Sequence, residues 1–372
     1  MALITNIPSP YRLPVWSAIA SNLDNLRIYF SAKRETNRIW QVENLENLIF
    51  EHRFLPGRSW YISARDWGLH WNPALWGELR RYRPTHVVVT GYETPTYLMA
   101  IAYAKAHRLP LVIWWGSHAL SSRSRKGVVA RIRRQVLRAA NAFVTYGSMA
   151  TDYLAGMGVP KNRIITGVNT VDVERVAKLV EANHFKASSR GDQSTHFLYV
   201  GQLSERKGVR QLLEAFRALP QNEAKLTIVG YGPLEERLKA FVDAHGIHNV
   251  KFAGGTRTLE ETARYYAWAD VLVMPSIVEV WGLVVNEALA AGLWVLASMY
   301  AGSTPDLVTS APVDVGQAFD PADNRDFVNA LSVAIKLAKK RDVNAIKAWG
   351  LEHTPEKYAD SVIGALNVAN TR

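Results

Sequence analysis

Apolar residues in this chain gather in short, nearly unbroken runs. They fall at 1–5 (MALIT), 26–30 (LRIYF), 86–90 (HVVVT), 110–114 (PLVIW) and 142–146 (AFVTY), and again at 196–201 (HFLYVG), 225–229 (KLTIV), 250–253 (VKFA), 271–274 (VLVM) and 294–297 (WVLA). Strands covered on both faces read this way, because neither side needs polar residues. Helical stretches such as 210–218 and 233–245 lie between the runs. Alternating strands and helices predict parallel, doubly wound α/β sheets. Ten strands are many for one open sheet. The stretch 185–195 (FKASSRGDQST) is small, polar and aperiodic, and a new strand follows it. The expectation is two Rossmann-like domains, 1–187 and 188–350; the alternative is a surface loop within one large sheet.

The composition is that of a globular protein, with 48% hydrophobic and 21% charged residues among 372. With no cysteine, disulfides and thiolate metal sites are excluded, and a reducing compartment fits. The first residues lack a basic segment followed by an apolar one, so no secretory signal is expected. No apolar run reaches the roughly 18 residues needed to span a bilayer. Charge is divided unevenly. Residues 1–190 hold 26 Lys+Arg against 12 Asp+Glu, whereas 191–372 hold 18 against 21. Segment 101–150 has nine basic residues and no acidic one. That asymmetry points to an anionic partner for the first half: membrane, nucleic acid or a phosphorylated substrate.

In α/β folds, ligands bind where strands end in loops leading to helix N-termini. Four loops of the second half fit that position. The first, 200–208 (VGQLSERKG), brings Gln202, Arg206 and Lys207 before a helix from about Val209; a helix N-terminus and a cation both favour an anion. The second is Gly230-Tyr231-Gly232-Pro233, with Pro233 suited to a first helical turn. The third runs from Pro275 to Glu287. With a helix starting near Gly282, amides of Gly282, Leu283 and Val284 could hold a diphosphate, and Glu279 and Glu287 could accept hydroxyl protons. The fourth, 254–257 with Arg257, offers backbone to a flat base edge. Each loop alone reads equally as a turn with ordinary surface charges, and Glu279 alone as a charge complementing a helix dipole.

Taken in order, VGQLSERKG, IVGYGP, VKFAGG and EVWGLVVNEALAAG resemble the donor domain of family-four retaining glycosyltransferases of the GT-B fold. The resemblance is strong over 196–310 and extends elsewhere by layout. Glu279 and Glu287 meet the family's E-x7-E signature. It implies two Rossmann-like domains facing a central cleft, with a C-terminal helix, 351–372, crossing back to the first. It also implies that Lys207 and the amides after Trp281 bind the nucleotide-sugar diphosphate, Glu279 contacts the donor sugar and Glu287 holds the ribose. Gln202 stands where many relatives carry arginine, and Arg206 is the candidate to compensate.

The first half then becomes the acceptor side. The loop 6–14 (NIPSPYRLP) lacks the paired glycines of many relatives and resembles a Pro-Tyr-Arg subset, with Tyr11 and Arg12 facing the acceptor. His118, after the strand PLVIW, matches a histidine that touches the donor sugar in relatives. Arg123, Arg125 and Lys126 precede a basic amphipathic helix at 128–142. Its apolar stripe is expected at Val128, Ile132, Val136, Ala139 and Phe143, with Arg131, Arg133, Arg134 and Arg138 opposite. Such a helix either packs as an ordinary domain helix or meets anionic lipid or a lipid-linked phosphate.

The expected activity is metal-independent, retaining transfer of a hexose from a nucleotide sugar, UDP- or GDP-linked, to a glycan or lipid-linked acceptor. It would serve bacterial polysaccharide or glycolipid synthesis, in the cytoplasm or peripherally at the cytoplasmic membrane face. No metal, further cofactor or nucleic acid is expected. The alternatives are a sugar-nucleotide epimerase of the same fold and a non-enzymatic anion binder.

Overall fold

The computed structural model describes residues 1–35, 48–62, 67–122, 127–187 and 193–371. It forms two compact units, Met1–Val168 with Pro355–Arg372, and Asn169–Thr354.

The first unit runs β1 (Ala2–Thr5), α1 (Leu13–Ser21), β2 (Arg27–Phe30), β3 (Glu51–Phe54), β4 (Arg58–Ile62), β5 (Trp67–Trp71), α2 (Leu75–Tyr82), β6 (Val87–Val89), α3 (Pro95–Ala106), β7 (Leu111–Trp115), α4 (Val128–Ala139), β8 (Ala142–Thr145), α5 (Ser148–Gly156) and β9 (Ile164–Thr166). The second runs α6 (Val173–Ala187), β10 (Thr195–Val200), α7 (Val209–Phe216), β11 (Ala224–Val229), α8 (Glu235–Ala244), β12 (Val250–Gly254), α9 (Leu259–Trp268), β13 (Val271–Met274), α10 (Leu283–Ala290), β14 (Trp294–Ser298), β15 (Gly316–Phe319), α11 (Asn324–Leu337) and α12 (Val343–Leu351). The last helix, α13 (Pro355–Asn370), belongs to the first unit.

Seven strands of the first unit form a parallel sheet in the order β3-β2-β1-β6-β7-β8-β9. Alternate residues of β1 enter opposite cores: Ala2 and Ile4 join Tyr97, Ile101 and Phe143, while Leu3 joins Trp16, Val112 and Val362. This two-sided burial is why the strands read as solid apolar runs. The second unit has a six-stranded parallel sheet, β12-β11-β10-β13-β14-β15. Both sheets reverse strand order at one place, between β1 and β6 and between β10 and β13. In doubly wound sheets ligands bind beside that reversal, at the carboxyl ends of the strands.

The division between units differs from the boundary at 187/188. Helix α6 carries Val173, Val176, Ala177 and Val180, one turn apart on a single buried face, and packs that face on α9, α10 and α12. It therefore belongs with the second unit, and the polar stretch after it joins a helix to a strand of that unit; residues 188–192 of that stretch lie outside those described. The expected C-terminal helix, 351–372, starts later, at Pro355, and is separate from α12, which ends at Leu351. Pro355 disfavours helical backbone at Thr354 and starts a new helix at its own first position.

Candidate functional site

In the second unit the loops after β10 and β13 flank the reversal, and those after β11 and β12 continue outward along the same side of the sheet. The loop after β10 turns through a short 3-10 helix, Glu205–Lys207, and Gly208 before α7. Gly208 has φ 68°, and a Cβ there would lie 1.9 Å from the Pro275 carbonyl oxygen, so only glycine fits. Amides of Ile277 and Val278 donate to the Arg206 carbonyl at 2.9 and 3.1 Å. These bonds clamp the first loop to the third. The first and second are joined by Leu203 N–H to Tyr231 O, 2.8 Å, and the second and fourth by Gly230 N–H to Gly254 O, 2.9 Å.

That clamp puts the Lys207 ammonium on the Glu279 carboxylate, in a pair whose side chains are 19% and 11% exposed. Ser276 Oγ donates to the same carboxylate oxygen at 3.4 Å. Burial works to raise the Glu279 pKa, but Lys207, Arg206 and Ser276 outweigh it and hold the carboxyl below its ordinary value. Arg206 also reaches Gln202 Oε1 at 3.4 Å, so two cations flank the position where Gln202 brings none.

Three residues beyond Glu279, Gly282 caps α10 with φ 100° and no side-chain cap. The amides of Leu283 and Val284, in the first turn of α10, have no acceptor within the helix, and the positive end of the dipole lies there. The preceding Trp281 is buried; its Nε1–H donates to Asn286 Oδ1 at 3.0 Å, and Asn286 Nδ2–H donates to the Asn169 carbonyl at 3.1 Å. Trp281 therefore anchors the turn, and the backbone after it is what remains for a ligand. Glu287 lies one turn along α10, roughly 7 Å from the cap. Tyr266, fully buried on α9, donates its hydroxyl to Glu287 Oε2 at 2.5 Å. Burial pushes the Glu287 carboxyl up to about 7 despite that bond.

Other expected residues fall at the margins. Arg257 is exposed, and its amide donates to Glu261 Oε2 at 2.8 Å. Gly232 adjoins Pro233, which precedes α8 by two residues and so is not in its first turn. Ser276, Tyr266, Asn286 and Asn169 were missed. The one sequence signal was the polar Asn286 amid Val284, Val285, Ala288 and Leu289, which demands a buried partner.

In the first unit, the loop after β1 becomes a 3-10 turn, Pro10–Arg12. The Arg12 guanidinium lies over the rings of Tyr146, 4.7 Å, and Trp114, 5.4 Å. His118 follows β7 and is 1% exposed. Its amide donates to Ser121 Oγ at 2.9 Å, and its carbonyl takes the Ser121 and Ser122 amides, which fixes the turn after β7. Arg123, Arg125 and Lys126 lie outside the described residues. The face assignment of α4 is corrected at both edges. Arg133 is buried, donating to Ser122 Oγ at 2.9 Å and Tyr153 Oη at 3.0 Å, while Val128 is 68% exposed. The hydroxyls supply the partners that let an arginine lie on the inner face.

Two parallel Rossmann-like sheets, with cation, carboxylates and helix amides at the carboxyl edge of the second, define the GT-B class of glycosyltransferases. Residues 180–348 match the family described as Glycosyl transferases group 1, and residues 30–175 match Glycosyltransferase Family 4. The chain belongs to the family-four glycosyltransferases. It is 27% identical to the Sulfoquinovosyl transferase SQD2 of Arabidopsis thaliana over 85% of this chain and 62% of that protein. It is 31% identical to the Amylovoran biosynthesis glycosyltransferase AmsK of Erwinia amylovora over 42% of this chain and 38% of that one. The chain thus matches less than two thirds of these relatives' length. Anabaena Alr3699/HepE in complex with UDP and glucose has the same fold, with TM-score 0.70, 16% identity, and coverage of 100% of this chain and 98% of that one.

Proposed function

We propose that the chain is a retaining hexosyltransferase that uses a nucleotide sugar, UDP- or GDP-linked, and a glycan or lipid-linked acceptor. The observation that carries the reading is the Lys207–Glu279 pair beside the uncapped start of α10. Lys207, Arg206 and the amides of Leu283 and Val284 take the diphosphate. Its negative charge grows as the bond from the anomeric carbon to the phosphate oxygen breaks, so fixed positive groups there lower the barrier. Positive charge from side chains and amides makes a metal unnecessary in this reading. Glu279, kept ionised, accepts hydrogen bonds from the sugar hydroxyls, and Glu287 does the same for the ribose. The acceptor hydroxyl attacks the face the diphosphate leaves, and the departing phosphate oxygen takes its proton, which gives retention. His118 touches the donor sugar beside the reaction centre, and Tyr11 and Arg12 face the acceptor.

Support for the acceptor class comes from AmsK, named for amylovoran biosynthesis, and from α4, where exposed Val128 and Val129 adjoin exposed Arg131 and Arg134. That combination suits peripheral contact with anionic lipid at the cytoplasmic membrane face. No helix among the described residues is long and apolar enough to cross a membrane. Screening UDP-, GDP- and dTDP-sugars by thermal shift tests the reading, because a bound donor raises stability by mass action. A stabilising sugar nucleotide whose transfer yields a product of unchanged anomeric configuration is expected; an epimerised donor with no transfer, or no stabilisation by any of them, would overturn it.

A further inference from the structure

The hairpin β4–β5 has no place in the parallel sheet, yet it is held firmly at the sheet's carboxyl edge. Its strands pair Arg58 with Trp71, Ser59 with His70 and Trp60 with Leu69. Side chains alternate across a strand and directly opposed residues share a face. Ser59 and His70 therefore lie on one face, and Arg58, Trp60, Leu69 and Trp71 on the other.

The first face is a polar brace. His70, 2% exposed, accepts or donates at both nitrogens: Nδ1 to Ser59 Oγ at 2.8 Å and Nε2 to Glu35 Oε1 at 3.4 Å. Glu35 also accepts Asn6 Nδ2–H at 2.9 Å, and Asn6 begins the loop after β1. Just beyond β5, the buried Asn72 donates to Ser31 O and Leu55 O, both at 3.0 Å, and accepts from Thr96 at 2.8 Å. Ser31 and Leu55 immediately follow β2 and β3. The hairpin is thereby fixed to the carboxyl ends of three adjacent strands, where ligands bind in such sheets.

The second face looks outward. Trp60 is 47% and Trp71 40% exposed, and Arg58 is exposed beside them. The two tryptophans are diagonal neighbours, roughly 7–8 Å apart at the backbone. The two half-exposed tryptophans, neighbours on one face of the hairpin, leave a shelf of aromatic surface open to solvent. A shelf of flat rings suits the C–H faces of pyranoses, whose hydroxyls stay in water at the rim. Exposed Lys33 and Arg34, just after β2, and Arg58 in β4 favour an anionic partner.

We propose that Trp60, Trp71 and Arg58 form a docking surface for an acidic oligosaccharide, gripping acceptor sugars beyond the one that reacts. This rests on the reading of the first unit as the acceptor side. Titration calorimetry of the full chain with tetragalacturonate and with cellotetraose tests it, alongside UDP binding and thermal unfolding. In Trp60→Ala/Trp71→Ala both oligosaccharides should bind at least 10-fold more weakly. Arg58→Ala should weaken tetragalacturonate about 5-fold and leave cellotetraose unchanged. Trp60→Phe/Trp71→Phe should restore most binding, and UDP affinity and unfolding temperature should hold in all three. Flotation with vesicles of phosphatidylethanolamine and phosphatidylglycerol is the contrasting arm. Vesicle binding lost in the alanine pair with oligosaccharide binding intact would overturn the proposal in favour of a lipid contact. Absence of oligosaccharide binding in the wild type, or its persistence in the alanine pair, would overturn it outright. Failure of the wild type to bind either UDP or GDP would instead strike the transferase reading.

Discussion

Lys207→Met puts the charge arithmetic of the site to the test. The Lys207 and Glu279 side chains are 19% and 11% exposed. Removing one member of a fully buried pair costs about 3–5 kcal/mol, because the other is left as an uncompensated buried charge. The remaining exposure trims this to about 2–3 kcal/mol. For a unit of this size that is roughly 5–10 °C in unfolding temperature. Lys207→Met/Glu279→Gln removes the stranded charge, so most of the loss should return, with a coupling on the order of 2 kcal/mol. Donor binding should not return. A charge-assisted bond to phosphate contributes about 1.5–3 kcal/mol, so UDP should bind ~10- to 150-fold more weakly in both variants. The pH dependence has a definite sign. The folded-state pKa of Glu279 is depressed, so its pair stabilises above the unfolded value of 4.5 and loses that contribution as pH falls through the folded value. The deficit of Lys207→Met should therefore shrink in acid. The measurements are thermal unfolding by circular dichroism from pH 4 to 8, and calorimetry with UDP. Additive single and double variants, or unchanged UDP affinity in Lys207→Met, would refute the reasoning.

Four other changes have expected outcomes. Glu287 titrates near 7 in the fold against 4.5 unfolded, so the folded chain holds an extra proton between these values and stability should fall as pH rises across that window, by up to about 3 kcal/mol. Glu287→Gln should flatten the profile of unfolding temperature against pH. Arg133→Met should cost about 2–4 kcal/mol, since two buried charged hydrogen bonds are lost, whereas Arg134→Met, on an exposed residue, should stay within about 0.5 kcal/mol; equal denaturant midpoints would contradict the observed face of α4. Gly208→Ala meets both a left-handed backbone and the Pro275 carbonyl, and should lose several kcal/mol or fail to yield soluble protein at all.

Much of the second unit was legible from residue order. Its solid apolar runs at β10, β13 and β14 follow from burial on both faces, and the start of α7 at Val209 and of α10 beside Gly282 were readable from glycine and spacing. The strands that escaped notice are short or half-buried. Glu51–Phe54 alternates exposed and partly buried residues at a sheet edge, and Gly316–Phe319 has one fully buried residue. Neither carries the two-sided burial that makes an apolar run. The α6 boundary failed for a related reason: a change of composition marks a loop, but which unit a helix joins depends on the partner its apolar face finds.

The order of residues by itself determined the class of fold, the loops that could meet a diphosphate, and the E-x7-E pair. Those are local properties: burial periodicity, backbone freedom and charge along a few neighbouring positions. Tertiary structure decided the rest. It joined Lys207 to Glu279 across 72 positions of chain, set Tyr266 against Glu287, turned Arg133 inward and braced the Trp60–Trp71 hairpin through Glu35 and Asn72. Each of these depends on which strands lie side by side, and adjacency in a sheet is settled by the packing energy of the whole unit.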